Sequence, residues 1–458
     1  MPAQSLPRVF IVGGGFAGLA AARALATAPV AITLVDRRNH HVFQPLLYQV
    51  ATASLSPSDI SATIRTVLRR QDNCEVVLAE VTRIDVEGRR VFLGGGYVNY
   101  DYLILAAGAT HAYFGHDDWA PIAPGFKSLE DAVEIRRRIL LAFESAEQEG
   151  SEAARRAQLT FAIVGGGPTG VELSGAIKEI AGQTIARDYK HIDTRTTRVI
   201  LFEGGDRLLP TFDPSLSARA QRDLERMGVE VRLKAIVTNV TRDGVSIGNE
   251  FIPVGNAFWA AGVKASPLGK ALGVPLDRAG RVIVGPDLTI PGHPEVFVTG
   301  DQAAARSADT GKPVPGVAQG GIQMGRYAGG IIAREVRGRQ SPHDRRAFAY
   351  WDKGTMAVIG KARAVAQVGR WKIGGFLAWL MWGAIHIAFL IGFRNRLQVM
   401  LAWFWNWLLN ARDSRLIHGD AHLNVQRVRS EDFIGEQKDF IREQKVLAST
   451  ASDGGGKP

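Results

Sequence analysis

The sequence predicts an α/β protein of two parallel-sheet units, the second inserted in the first, followed by an amphipathic helical region. Three observations predict it. A strand, glycine loop, helix, strand and acid run in that order through residues 8–36 and again through 160–203. A strand ending in Thr299-Gly300-Asp301 follows the second copy. An uncharged stretch, 373–393, and a tryptophan-rich one, 397–409, come last.

The first copy opens with residues 8–12, a short apolar run bounded by glycine and read as a buried strand. Gly13-Gly14-Gly15-Phe16-Ala17-Gly18 leads into an Ala/Leu-rich helix, and a second strand ends on Asp36, 18 positions past the last glycine. Gly13 permits the tight turn, Gly15 lets the backbone approach a pyrophosphate, and Gly18 lets the helix pack closely. The helix N-terminus offers unpaired N–H groups to phosphates, and Asp36 is placed to accept from a ribose diol. This is the pattern of a Rossmann-like dinucleotide-binding domain, with Phe16, Ala17 and Arg37 beside the same ligand.

Thr160 to Val164 is again a strand, and Gly165-Gly166-Gly167-Pro168-Thr169-Gly170 opens another helix. A strand at 198–202 ends on Glu203, but 33 residues past the last glycine rather than about 20. The excess, 182–197, is polar and reads as a lengthened helix or loop. Leu103 to Gly108, with Ala107 and Gly108 at its end, is echoed by Ala257 to Gly262. This offset is 154 residues against 152 for the glycine loops, which points to two homologous nucleotide domains.

Between these motifs, Ser56 to Arg70 reads as helical and 78–92 as strands of a small meander. Leu129 to Glu149 reads as a charged amphipathic helix, and 229–254 as a second meander. The His40-His41 pair lacks a ligand partner at suitable spacing, so no metal is expected. The strand ending at Asp301 most simply returns to the first unit. The glycines of 316–325 imply close approach to a ring or a neighbouring backbone, because each costs about 1 kcal/mol relative to Ala in a helix; helix–helix packing is the plainer reading. The expected division is 1–115 with 291–345, then 116–290, then 346–430, and a charged tail, 431–458, expected to be disordered.

The 458 residues leave room for two or three domains. A single cysteine, Cys74, excludes an internal disulfide and a Cys-x-x-Cys redox centre. The first strand starts so early that we expect no cleaved leader. The net charge of +10 favours anionic surfaces. Its placement favours lipid over nucleic acid, since residues 361–415 hold eight Lys or Arg and one acid, Asp413. By length alone, 373–393 could span a bilayer. On a helix, Asn395, Gln398, Asn406 and Asn410 form a polar stripe, with Leu401, Trp403, Phe404, Trp405, Trp407 and Leu408 around the rest. That arrangement suits a helix lying in the membrane surface, so residues 373–412 are the expected contact.

The motif order resembles the two-dinucleotide-binding-domain flavoproteins. Within them, the segments 44–51, 165–172, Ala318-Gln319 with Gln323, 352–357 and 386–397 together resemble the bacterial type II NADH:quinone oxidoreductases, over residues 8 to about 420. The resemblance implies FAD on Gly13, Gly15, Gly18 and Asp36, with Asp301 on its ribityl or phosphate portion, and NADH on Gly165, Gly167 and Gly170. Glu203 would favour NADH by opposing a 2′-phosphate. Hydride would pass from the nicotinamide to the flavin, with Glu172 relaying protons or positioning the nicotinamide. Gln319 and Gln323 would face a quinone, ubiquinone or menaquinone, with Lys361 and His386 as weaker candidates at its entrance. No ion pumping is implied. The expected location is the cytoplasmic face of the membrane, bound peripherally, with a homodimer retained as a candidate assembly. Two alternatives stay open: a flavin reductase serving another acceptor, and a non-catalytic NADH-binding sensor.

Overall fold

The computed structural model describes residues 6–409, 412 and 414–418; the expected tail, 431–458, lies outside them, as do Asn410 and Asp413. Strand Arg8–Val12 (β1) buries its last four residues and feeds helix Phe16–Ala24 (α1). Strand Ala31–Asp36 (β2) pairs with β1 in parallel, and Cys74–Leu78 (β3) lies beyond it. Tyr102–Leu105 (β4) pairs with the other edge of β1. The runs 81–85, 90–93 and 96–99 form the expected antiparallel meander.

Helix Leu129–Gln148 (α2) starts at a capping box between Ser128 and Asp131. A second parallel sheet follows, built from Thr160–Val164 (β5), Arg198–Phe202 (β6), Val229–Arg232 (β7) and Asn256–Trp259 (β8) in the order β7-β6-β5-β8. Helix Pro168–Glu179 (α3) leaves β5 and runs on into a π turn at 180–184, which takes up the start of the excess between the second glycine loop and Glu203. Only the latter part of 229–254 is a meander, because 229–232 joins the parallel sheet. Strand His293–Val298 (β9) then pairs in parallel with β4, so the chain returns to the first sheet as its topology required.

One helix reading fails. Residues 56–70 divide into a 3₁₀ turn at 57–59, a strand at 61–63 and a short helix at 64–68. Pro57 and the Ser56–Asp59 capping box start a turn, and pairing of 61–63 with 40–42 then pulls the backbone straight. Tertiary pairing overrides local helical periodicity.

Helix Ala318–Glu335 (α4) lies against α1. A Cβ added at Gly325 would sit 2.0 Å from the Ala17 carbonyl oxygen, and one at Gly329 would sit 2.7 Å from that of Ala21. Helix packing therefore explains these two glycines. Thr355–Gly360 (β10), Arg363–Val368 (β11) and Trp371–Gly374 (β12) form an antiparallel sheet against α3. Gly175 permits that contact, since its Cβ would fall 1.8 Å from the Ile359 carbonyl oxygen.

The stretch 373–393 is no continuous helix. Gly375, at φ +79°, starts helix Phe376–Phe389 (α5), and Gly392, at φ +90°, turns the chain into Phe393–Leu409 (α6). Among the described residues no helix is long and apolar enough to cross a membrane. Trp382 and Val399 join the core, whereas Leu401, Phe404, Trp405 and Leu408 are exposed. The polar stripe partly faces the protein. The Asn395 amide donates to the carbonyls of Ser58 and Ser61, and Asn406 to that of Ser54.

Candidate active site

The two glycine loops repeat one geometry. Gly13 and Gly165 turn the chain at φ +105° and +111°. A Cβ at Gly18 would lie 1.8 Å from the Gly13 carbonyl oxygen, and one at Gly170 would lie 1.9 Å from that of Gly165. Each third glycine thus closes its own loop onto the helix, tighter than packing against the sheet alone. Gly15 and Gly167 face open space. As helix N-caps they bring no side-chain hydrogen bond to α1 or α3. The first-turn N–H groups at both helix heads therefore point toward room for an anion. Behind the loops, Ala106 donates to the Val12 carbonyl and Ala260 to that of Val164, and Gly108 and Gly262 then turn at φ +68° and +79°.

The acids repeat too. Asp36 accepts from the Gly14 N–H at 2.7 Å and from Arg38 N–H at 2.7 Å. Glu203 accepts from the Gly166 N–H at 2.6 Å and from Gly205 N–H at 2.7 Å. Arg37 is exposed, while Arg38 is held by Glu130 at 3.0 Å. His41 donates from Nδ1 to the Gly14 carbonyl, 3.2 Å away, and burial pushes its pKa down to about 4. A neutral histidine thus braces the first loop.

Asp301 stands in the turn after β9. A Cβ on the preceding Gly300 would lie 3.3 Å from Ala17 Cβ, which sets this turn at the heads of α1 and α4. The head of α4 carries Ala318 and Gln319, and Gln319 Oε1 is buried without a partner among the described residues. Gln323 differs. Its amide donates to the Trp351 carbonyl at 2.9 Å and accepts from the Trp351 N–H at 2.9 Å, so both ends hold that backbone.

A cavity of about 400 Å³ lies between α3, β10 and the α5–α6 pair. Glu172 and Lys361 line it; Gln319 and Gln323 do not. Val358 N–H donates to Glu172 at 3.4 Å, but burial dominates and pushes its carboxyl up to about 8. About two turns on, Glu179 accepts from the Lys361 backbone N–H and pairs with Arg412 at 3.0 Å. Lys361 Nζ donates to the Trp407 carbonyl at 2.7 Å. His386 sits outside the lining, stacked on Trp382 at 4.2 Å, and burial pushes its pKa down to about 4.

Sequence reasoning missed Tyr48 and Arg412. Both line the cavity, and burial raises the Tyr48 hydroxyl well above its ordinary value, helped by the Glu172 charge. Tyr48 stood within a quoted motif; no local signal marks Arg412.

Two glycine cradles with acids at matching strand ends, one chain returning between two parallel sheets, define a pyridine-nucleotide oxidoreductase. The family model for pyridine nucleotide-disulphide oxidoreductases matches residues 7–325, and that for the NDH2 C-terminal domain matches 352–413. The type II NADH:quinone oxidoreductase NdhA of Mycobacterium tuberculosis is 47% identical over 90% of this chain and 89% of that protein. Its relative Ndh from the same organism is 46% identical over 88% and 89%. A solved NDH2 from Plasmodium falciparum in complex with NADH, 19% identical, superposes with a TM-score of 0.81 over 89% of this chain and 99% of that one; it speaks for the fold. The chain belongs to the type II NADH:quinone oxidoreductase family.

Proposed function

We propose that this protein oxidises NADH and passes both electrons through FAD to a membrane quinone, without pumping protons. The duplicated cradle carries the reading, since it offers two places for a dinucleotide in one chain. FAD fits the first. Gly15 leaves space that a side chain would fill, the head of α1 is uncapped, and Gln319 Oε1 waits buried for a donor. When bound, FAD supplies the two-electron chemistry, and the protein supplies alignment and electrostatics.

Gly13, Gly15, Phe16, Ala17 and Gly18 hold the pyrophosphate side of FAD, Asp36 and Arg37 the adenosine ribose end, and Ala107, Gly108, Asp301, Ala318 and Gln319 the remainder. Gly165, Gly167, Gly170, Glu203 and Gly262 hold NADH. Glu172, protonated near neutral pH, holds or gives up a proton beside the reacting rings. Gln319 is the better placed of the two glutamines to meet a quinone carbonyl. For Gln323 to do so, its amide must leave Trp351. Lys361 sits at the cavity wall nearest α6.

We place the FAD unit at 1–115 and 291–345, the NADH unit at 116–290, and the quinone-side region at 346–430. The exposed face of α5 and α6 rests on the cytoplasmic face of the membrane, without a spanning segment, and two copies form a homodimer. An anaerobic NADH titration, followed by ubiquinone and menaquinone analogues, tests the reading. Bleaching of the flavin with no reoxidation by either quinone would remove the acceptor half.

A further inference from the structure

We infer that Lys127 is a further cofactor-holding residue, its ammonium directed with Asp301 at the ribityl–diphosphate part of FAD. The inference rests on the proposed placement of FAD in the first cradle. Its basis is the convergence of three segments far apart in sequence. Lys127 Nζ lies 3.1 Å from Asp301 Oδ2, across 174 positions of chain. Asp301 in turn stands at the heads of α1 and α4, where a Cβ at Gly316 would come within 3.5 Å of its Oδ1.

The Lys127 backbone is anchored on both sides. Its backbone N–H donates to Asp131 Oδ2 at 2.9 Å, and its carbonyl accepts from Gln44 Nε2 at 3.3 Å. The same Asp131 oxygen meets His111 Nε2 at 3.1 Å, which ties this turn to the strand leaving the first unit. These bonds place the Lys127 backbone, and the Asp301 contact at 3.1 Å is what directs its ammonium.

Chemistry gives the direction a purpose. The glycine loop offers a diphosphate only N–H groups and a helix dipole. Nearby Arg38 is taken by Glu130, and Asp36 adds negative charge. An ammonium carries three donors, and Asp301 uses one. Both side chains keep about a fifth of their surface accessible, 23% and 20%, so the pair borders open space rather than packed core. Asp301 orients the cation, and the remaining donors are available to the dinucleotide's oxygens.

The test is FAD affinity, read by flavin fluorescence on the full chain after the cofactor is stripped and added back. Lys127→Gln should raise the FAD Kd by roughly tenfold or more, the loss expected for one charge-assisted hydrogen bond. Its Kd should also vary less with salt, and Lys127→Arg should restore most of the affinity. A Lys127→Gln Kd within twofold of the parent protein would overturn the assignment and leave the pair a structural tie. If that variant folds poorly, the parent protein decides: FAD should shield Lys127 from amine acetylation, mapped by peptide mass, and equal labelling with and without FAD would overturn it. A parent protein that binds no FAD at all would instead refute the proposed function.

Discussion

The carboxylate of Glu203 accepts a hydrogen bond from the Gly166 backbone N–H at 2.6 Å, closing the second glycine loop onto the end of β6. Asp36 does the same for Gly14 at 2.7 Å. The acid's distance along the chain therefore matters less than its position at the end of the second strand.

With NADH in the proposed second cradle, that carboxylate would oppose a 2′-phosphate, so Glu203→Ala should lower the ratio of kcat/KM for NADH over NADPH by roughly tenfold. Steady-state kinetics with both nucleotides check this. An unchanged ratio would move the discrimination to another residue.

Glu172 makes stability depend on pH. Its folded-state pKa, about 8, lies above the ordinary carboxyl value of 4.5 because of burial. Between these values the folded protein binds more protons than the unfolded chain, so stability falls as pH rises toward and through about 8. The melting temperature should drop across that window in the parent protein and drop less in Glu172→Gln.

Gln319→Ala should raise the KM for quinone more than the KM for NADH, because its side-chain amide N–H, at the head of α4, is the proposed donor to a quinone carbonyl. Equal effects would separate Gln319 from the acceptor.

Gly325→Ala should destabilise by about 2–3 kcal/mol, since the new Cβ meets a backbone carbonyl that cannot yield without moving α1. Gly330→Ala is the control. Its Cβ would meet only the end of the Arg334 side chain at 3.5 Å, and it should gain about 0.5–1 kcal/mol from helix propensity. Chemical denaturation separates the two.

Replacing Phe404, Trp405 and Leu408 together by serine should weaken binding to anionic vesicles by at least roughly tenfold, as each exposed side chain loses apolar burial in lipid. Oxidation of NADH by a water-soluble quinone should persist. This is a cleaner test than deleting the segment, because Trp382 and Val399 belong to the core. Undiminished vesicle binding would place the membrane contact elsewhere.

The sequence by itself determined the two glycine loops, their acids and the strand that carries the chain back to β4. Each is a local pattern whose backbone requirement, positive φ at Gly13 and Gly165 or a short apolar run, is written in neighbouring residues. Only the tertiary structure decided that 56–70 is broken, that Gly325 and Gly329 serve α1, that Gln323 clamps Trp351, and that Lys127 meets Asp301. These depend on groups tens or hundreds of positions apart, and their free energy comes from contacts that no local propensity encodes.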